Sequence, residues 1–195
     1  MSTFETSHAT IQPGYSTRIN SPEFQLAMKS SNKTFAITSL LTALLLAPLL
    51  MLAVSFFSKE PIQNLIIPGL FVELVILIFV AVSAVKRAAG KTWDGEVIEQ
   101  FIDHELTKDS DRNDEVYVTV IRKESGKKFK HKEHTLHPVF DYLETGDEVR
   151  YHPKLNFPFE KYDKSADSYL VCPFCCTKQD ISADSCANCK KPLLK

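Results

Sequence analysis

Five cysteines stand in this chain of 195 residues, and all of them fall in its last stretch, "CPFCCTKQDISADSCANCKKPLLK", residues 172–195. Cys172, Cys175, Cys186 and Cys189 are spaced C-x2-C-x10-C-x2-C. Each pair offers two thiolates from one tight turn, and two such turns facing each other make a tetrahedral sulfur cage. Zinc suits that cage. Four sulfurs leave no open coordination position, so the implied role is structural, with no hydrolysis. Disulfides compete for the same residues but are disfavoured in a reducing cytosol. A thiol redox pair needs only one C-x2-C, at the start of a helix that follows a strand. Cys176 is left over: it follows Cys175 where such turns often hold glycine, and Lys190 takes the equivalent place after Cys189. It either exchanges with Cys175 as a ligand or stays a free thiol beside the site, and the second is expected. A tail this short cannot bury a core alone, so the metal is expected to supply its folding energy. The basic end "KKPLLK" is free to touch lipid or a partner, or simply to keep the tail soluble.

Two other groups of residues invite chemistry. His131, His134 and His137 recur every third residue in "HKEHTLH", but Pro138 and the strand pattern before it oppose a helix there, so the rings are not expected to converge on a metal. Glu73 lies inside a long apolar run, where an ionised carboxylate is costly. A proton or cation relay needs further charged groups in the run, and none is present. A bond to Thr38, Ser39 or Thr42 on a neighbouring helix, or contact with a second copy of the chain through the Glu73 helix, is the better expectation. No Ser/His/Asp set, glycine-rich phosphate loop or HExxH is present, so no catalytic or cofactor-binding residue is assigned and an enzyme is not expected.

The elements that must position these residues are segmental. Net charge is −1 and argues for no particular partner. Residues 1–33 form a polar tail, in which Ser21 and Pro22 open a short helix whose Phe24, Ala27 and Met28 share a face. That helix lies at a membrane interface, or the tail is loosely ordered; both readings stay open. Residues 34–57 and 62–85 are two apolar runs of 24 residues each, long enough to cross the roughly 30 Å hydrocarbon core. The "SKEP" link makes them a tight hairpin. Pro48 and Pro68 are expected to kink the two helices. Lys29, Lys33, Lys86, Arg87 and Lys91 flank the outer ends, against Lys59 offset by Glu60 in the link. The expected location is therefore the plasma membrane, crossed twice, with both termini cytoplasmic.

Residues 92–165 change period and read as a small all-β domain, an SH3- or OB-like barrel, with 169–195 as a zinc ribbon behind it. In "GEVIEQFID" alternation puts Val97 and Phe101 on one face and Ile98 and Ile102 on the other. "FIDHELTKDSDRNDE" reads as an acidic loop, residues 115–132 as a hairpin turning at Gly126, and "NFPFEKY" as an edge strand. The basic stretch 122–134 is read first as a solvated hairpin, then as a contact for anionic lipid; with only Phe129 interleaved, nucleic acid is disfavoured.

The stretch "W-D-G-x-V" (Trp93, Asp94, Gly95, Val97), "YHP…PFEKYDKS" (Tyr151, His152, Pro153, Pro158 to Ser165) and the cysteine tail ending in "PLLK" resemble a family of small bacterial two-helix membrane proteins with a cytoplasmic β domain and a C-terminal zinc ribbon. The resemblance covers residues 22–195 and implies architecture, with no activity attached. A more distant resemblance is to membrane proteins whose cytoplasmic OB-like module assists membrane proteases or scaffolds. The combined expectation is a membrane-anchored, non-enzymatic adaptor that presents its β domain and zinc ribbon to a protein partner. The alternatives are a tethered nucleic-acid binder, or an accessory subunit of a transporter or membrane protease.

Overall fold

The structure, a computed structural model, describes residues 12–58, 61–106 and 113–195. The Lys59–Glu60 link used in the topology argument lies outside the described residues. The chain divides into two compact units: Lys29–Gly90, and a second that joins the N-terminal segment through Met28 to Lys91–Lys195.

The first unit is an antiparallel helix pair. Helix α1 runs Pro22–Ser58 and α2 runs Ile62–Ala89. The Ser21 hydroxyl accepts the Phe24 N–H at 3.2 Å and caps α1 as its residue type suggests. Both helices are long and apolar enough to cross a membrane, with mean hydropathies of 2.5 and 2.9 over their most apolar windows. Pro48 and Pro68 lie inside the helices without ending either. The helices approach closely where Gly69 has no side chain: a Cβ there would collide with the flexible Met51 side chain. Near the outer end the Arg87 guanidinium lies 4.8 Å from the centre of the Phe35 ring.

That register corrects the expectation for Glu73. With Met51 beside Gly69, residue 73 is level with Pro48 and more than a turn beyond Thr42. Both carboxyl oxygens are buried and have no hydrogen-bond partner, so the bond to Thr38, Ser39 or Thr42 is not made. Orphaned acceptors of this kind destabilise. Glu73→Leu is therefore predicted to raise the stability of the intact protein in lipid nanodiscs by about 1–3 kcal/mol. Loss of stability together with loss of an oligomer would instead mean that a second copy supplies the partner.

The second unit is built on a five-stranded antiparallel sheet. Its strands are β1 Trp93–Leu106, β2 Asn113–Lys123, β3 Lys128–Glu133, β4 Glu148–Tyr151 and β5 Phe159–Lys161, in the order β3-β2-β1-β4-β5. A short helix α3, Pro138–Tyr142, lies between β3 and β4. Gly126, at φ 78°, turns the β2–β3 hairpin. Most of the segment read as an acidic loop is strand; only residues 107–112 fall outside the described residues. The outer strands draw together through side chains, with the Phe129 and Phe159 rings 6.3 Å apart and the His131 ring 5.4 Å from Phe159. Among the described residues β3 and β5 remain the two ends of the order, with no ladder closing them.

One alternation fails for a specific reason. Val97 pairs with Ile121 but Glu99 pairs with Val120, so Ile98 is an extra residue in β1. A bulge of this kind switches every later side chain to the opposite face. Val97 therefore joins the main core with Ile121, Val149, Phe157 and Phe159, while Ile98 and Phe101 pack against Val116, Val118 and Val120. The "W-D-G-x-V" stretch has a physical account in the same place. Trp93 stacks on Tyr151 at 4.9 Å, and Asp94 accepts two bonds of 2.7 Å from Arg150. A Cβ on Gly95 would stand 2.7 Å from the Arg122 carbonyl oxygen, so only glycine lets the strands approach there.

Residues 12–28 are not a free tail. The Gly14 N–H donates to the Tyr162 carbonyl at 2.8 Å. Glu160, 2% exposed, accepts bonds from the Ser16 N–H at 2.6 Å and Lys164 Nζ at 3.0 Å, and lies 3.0 Å from His152 Nε2. Phe24 is fully buried, and Ala27 and Met28 pack beside it against Leu155, Phe174, Leu193 and Leu194. The face read as an interfacial one therefore meets protein, because the chain's own C-terminal leucines supply the apolar cover.

Burial alone would push the Glu160 carboxyl up. The bonds from His152, Lys164 and Ser16 reverse this and hold it below the usual carboxylate range. A carboxyl depressed on folding stabilises fully above its unfolded value, about 4.3, and loses that contribution as pH falls through its folded value. Glu160→Gln strands the buried Lys164 ammonium and is predicted to cost about 3–5 kcal/mol at neutral pH, read by denaturant unfolding. The same variant should flatten the acid limb of the stability profile. An unchanged acid limb would mean that Glu160 does not carry it.

Candidate metal centre

Strand β6, Tyr169–Val171, delivers Cys172 to the centre, and β7, Lys178–Asp180, leaves it; the two pair antiparallel. A single bridge between Ser185 and Pro192 frames the second cysteine turn in the same way. The two turns are near copies. The Cys176 N–H donates to the Cys172 carbonyl at 3.0 Å, and the Lys190 N–H donates to the Cys186 carbonyl at 2.9 Å. Cys176 and Lys190 both have φ 59°, the left-handed region that favours glycine, so the correspondence visible in the spacing is a backbone fact. Asn156 and Phe157 fasten the first turn by donating from their backbones to the Pro173 carbonyl at 3.0 and 3.2 Å.

The two turns bring Cys172, Cys175, Cys186 and Cys189 together, with all four sulfurs within 4.8 Å of one another and no disulfide formed. Cys172 and Cys189 are 3.6 Å apart, Cys175 and Cys186 3.5 Å. A tetrahedral thiolate site with bonds of about 2.3 Å needs sulfurs about 3.8 Å apart. The observed set brackets that spacing, so these residues fit a metal ion that prefers four sulfurs. The local electrostatics divide the four sulfurs into two pairs. Burial raises all four thiols, but at Cys175 it is outweighed by bonds from the Thr177 hydroxyl and N–H. At Cys186 the Cys189 N–H, the Thr177 hydroxyl and the Asn188 N–H bring the thiol down to about 6. At Cys172 and Cys189 burial prevails and the thiols stay high.

Cys176 stands outside the group of four sulfurs and packs against the main core of the sheet. The two leucines of the "PLLK" end pack into the chain's own core. Leu193 is fully buried and Leu194 nearly so, and Lys195 bonds Asp184 at 3.0 Å. Arg18 also reaches Asp184, at 3.5 Å, from the N-terminal segment.

Among the described residues the histidines do not converge. His131 lies 3.6 Å from Glu133, whereas His137 stacks on Tyr117 at 3.8 Å and bonds Asp141 at 2.8 Å. Two contributors were not singled out from sequence. Thr177 is a bare hydroxyl two residues past a ligand, and the buried charges of Glu160, Lys161 and Lys164 look solvated in a charged stretch. Compared with known protein families, with curated proteins and with solved structures, the chain finds no match.

Cys186→Ser is predicted to abolish a content of one metal ion per chain and to unfold residues 169–195, followed by elemental analysis and by limited proteolysis. Cys176→Ser should retain the metal. Loss of metal in the second variant alone would move the ligand set to Cys176.

Proposed function

We propose that the chain is a membrane-anchored, non-enzymatic adaptor. In this reading the helix pair crosses the plasma membrane with both termini on the cytoplasmic side. The ion is zinc, the tail is a zinc ribbon, and the β domain with its ribbon forms one rigid body for a protein partner. The observation that carries the reading is the nature of the metal set. Four thiolates leave no position for water or substrate, and two of them, Cys172 and Cys186, are fully buried in a core shared with Phe24 and Leu193. An ion placed like that shapes a surface rather than a reaction. The buried Glu160 group adds to the case, because it locks the N-terminal segment to the same body.

The test is capture of the intact protein from native membranes, in parallel with Cys186→Ser. A partner held through high salt by the native protein and lost by the variant is expected. Retention of oligonucleotide that disappears with salt would favour the nucleic-acid reading instead.

A further inference from the structure

Helix α2 ends at Ala89 and β1 begins at Trp93, so three residues join them. The four Cα–Cα steps from Ala89 to Trp93 reach about 14 Å at most. If α2 crosses a bilayer, the start of β1 is therefore held close to the headgroups. The register of the sheet says what else lies at that end. Gly95 pairs with Lys123 and Arg122 pairs with Lys128, so the β2–β3 turn stands at the same end as Trp93. That turn carries Lys127, and β3 continues with Lys128, Lys130 and Lys132, all four exposed. In β3 the last three alternate with the half-buried Phe129 and His131, so they form one row on one face of an edge strand. The acids near the row include Glu96, 2.5 Å from Arg122, Glu124 in the turn, and the exposed Glu99, in register with Lys130 through Val120.

We propose that this lysine row docks on anionic phospholipid headgroups of the leaflet next to the end of α2. The proposal rests on the membrane reading above. A row of lysines on an edge strand also prevents strand pairing between molecules, which needs no lipid. What favours lipid is placement: the row starts at the tethered end of the sheet, where a headgroup surface is within reach. Each lysine near an anionic surface strengthens attachment roughly fivefold, so four act together as a strong contact.

The experiment uses the full chain in nanodiscs of phosphatidylcholine, with or without phosphatidylserine, and a headgroup-borne photocrosslinker mapped by mass spectrometry. The expected result is labelling across residues 127–132 in the anionic discs only. It should fall about tenfold or more in the variant with Lys127, Lys128, Lys130 and Lys132 changed to Gln. Labelling at Lys86 and Lys91 should persist in both lipids and both proteins, and Trp93, the only tryptophan, reports that the variant keeps its fold. Labelling at 86–91 without any at 127–132 overturns the docking and leaves the anchor standing. No labelling at either place overturns the membrane reading and this proposal with it. Salt-sensitive oligonucleotide binding by neutral discs, lost in the same variant, overturns it in favour of nucleic acid.

Discussion

Four sulfurs within 4.8 Å of one another cannot all be thiolates unless a cation stands among them. The rest of the second unit depends on this charge constraint, because the cage is also part of its core. Cys172 and Cys186 are fully buried, and the apolar cluster around them draws Phe24 from the start of the chain, Leu155 from the middle and Leu193 from the end. A segment of this size has too little apolar surface to fold alone. A metal ion held by the four sulfurs would replace the missing area with a few strong bonds, over which the cluster could close.

The second constraint is ionic and opposite in cost. Burying Glu160 and Lys164 needs an arrangement in which every partner is placed, and the bonds from Ser16, Lys164 and His152 supply it. What the arrangement secures is position: the N-terminal segment lies beside β5 by its Gly14 and Ser16 amides, with Tyr15 edge-on to Tyr162 at 5.1 Å. Residues 12–28, the C-terminal leucines and the sheet thereby belong to one compact unit. A partner meeting that unit would meet a fixed surface and would not have to order a loose one.

The cage was legible because its information is local. Cysteine spacing alone implies two turns, and the equivalence of Cys176 and Lys190 reappears as matching left-handed residues. The apolar runs, the Ser21 cap, the turn at Gly126 and the edge position of β5 are local in the same sense. The rest depended on partners far away in sequence. Phe24, Ala27 and Met28 share a face whether it meets lipid or Leu193, and no local pattern decides between them. Glu160 and Lys164 look like any solvated charges until His152 and Ser16 arrive beside them. The bulge at Ile98 leaves no mark on a period of two, so Phe101 was placed on the wrong face.

X-ray absorption at the zinc edge of the purified intact protein tests the central claim most directly. The account predicts one zinc with four sulfur neighbours at about 2.3 Å and no lighter ligand in the first coordination sphere. A sphere containing nitrogen or oxygen, or protein that folds fully with no metal present, would contradict it.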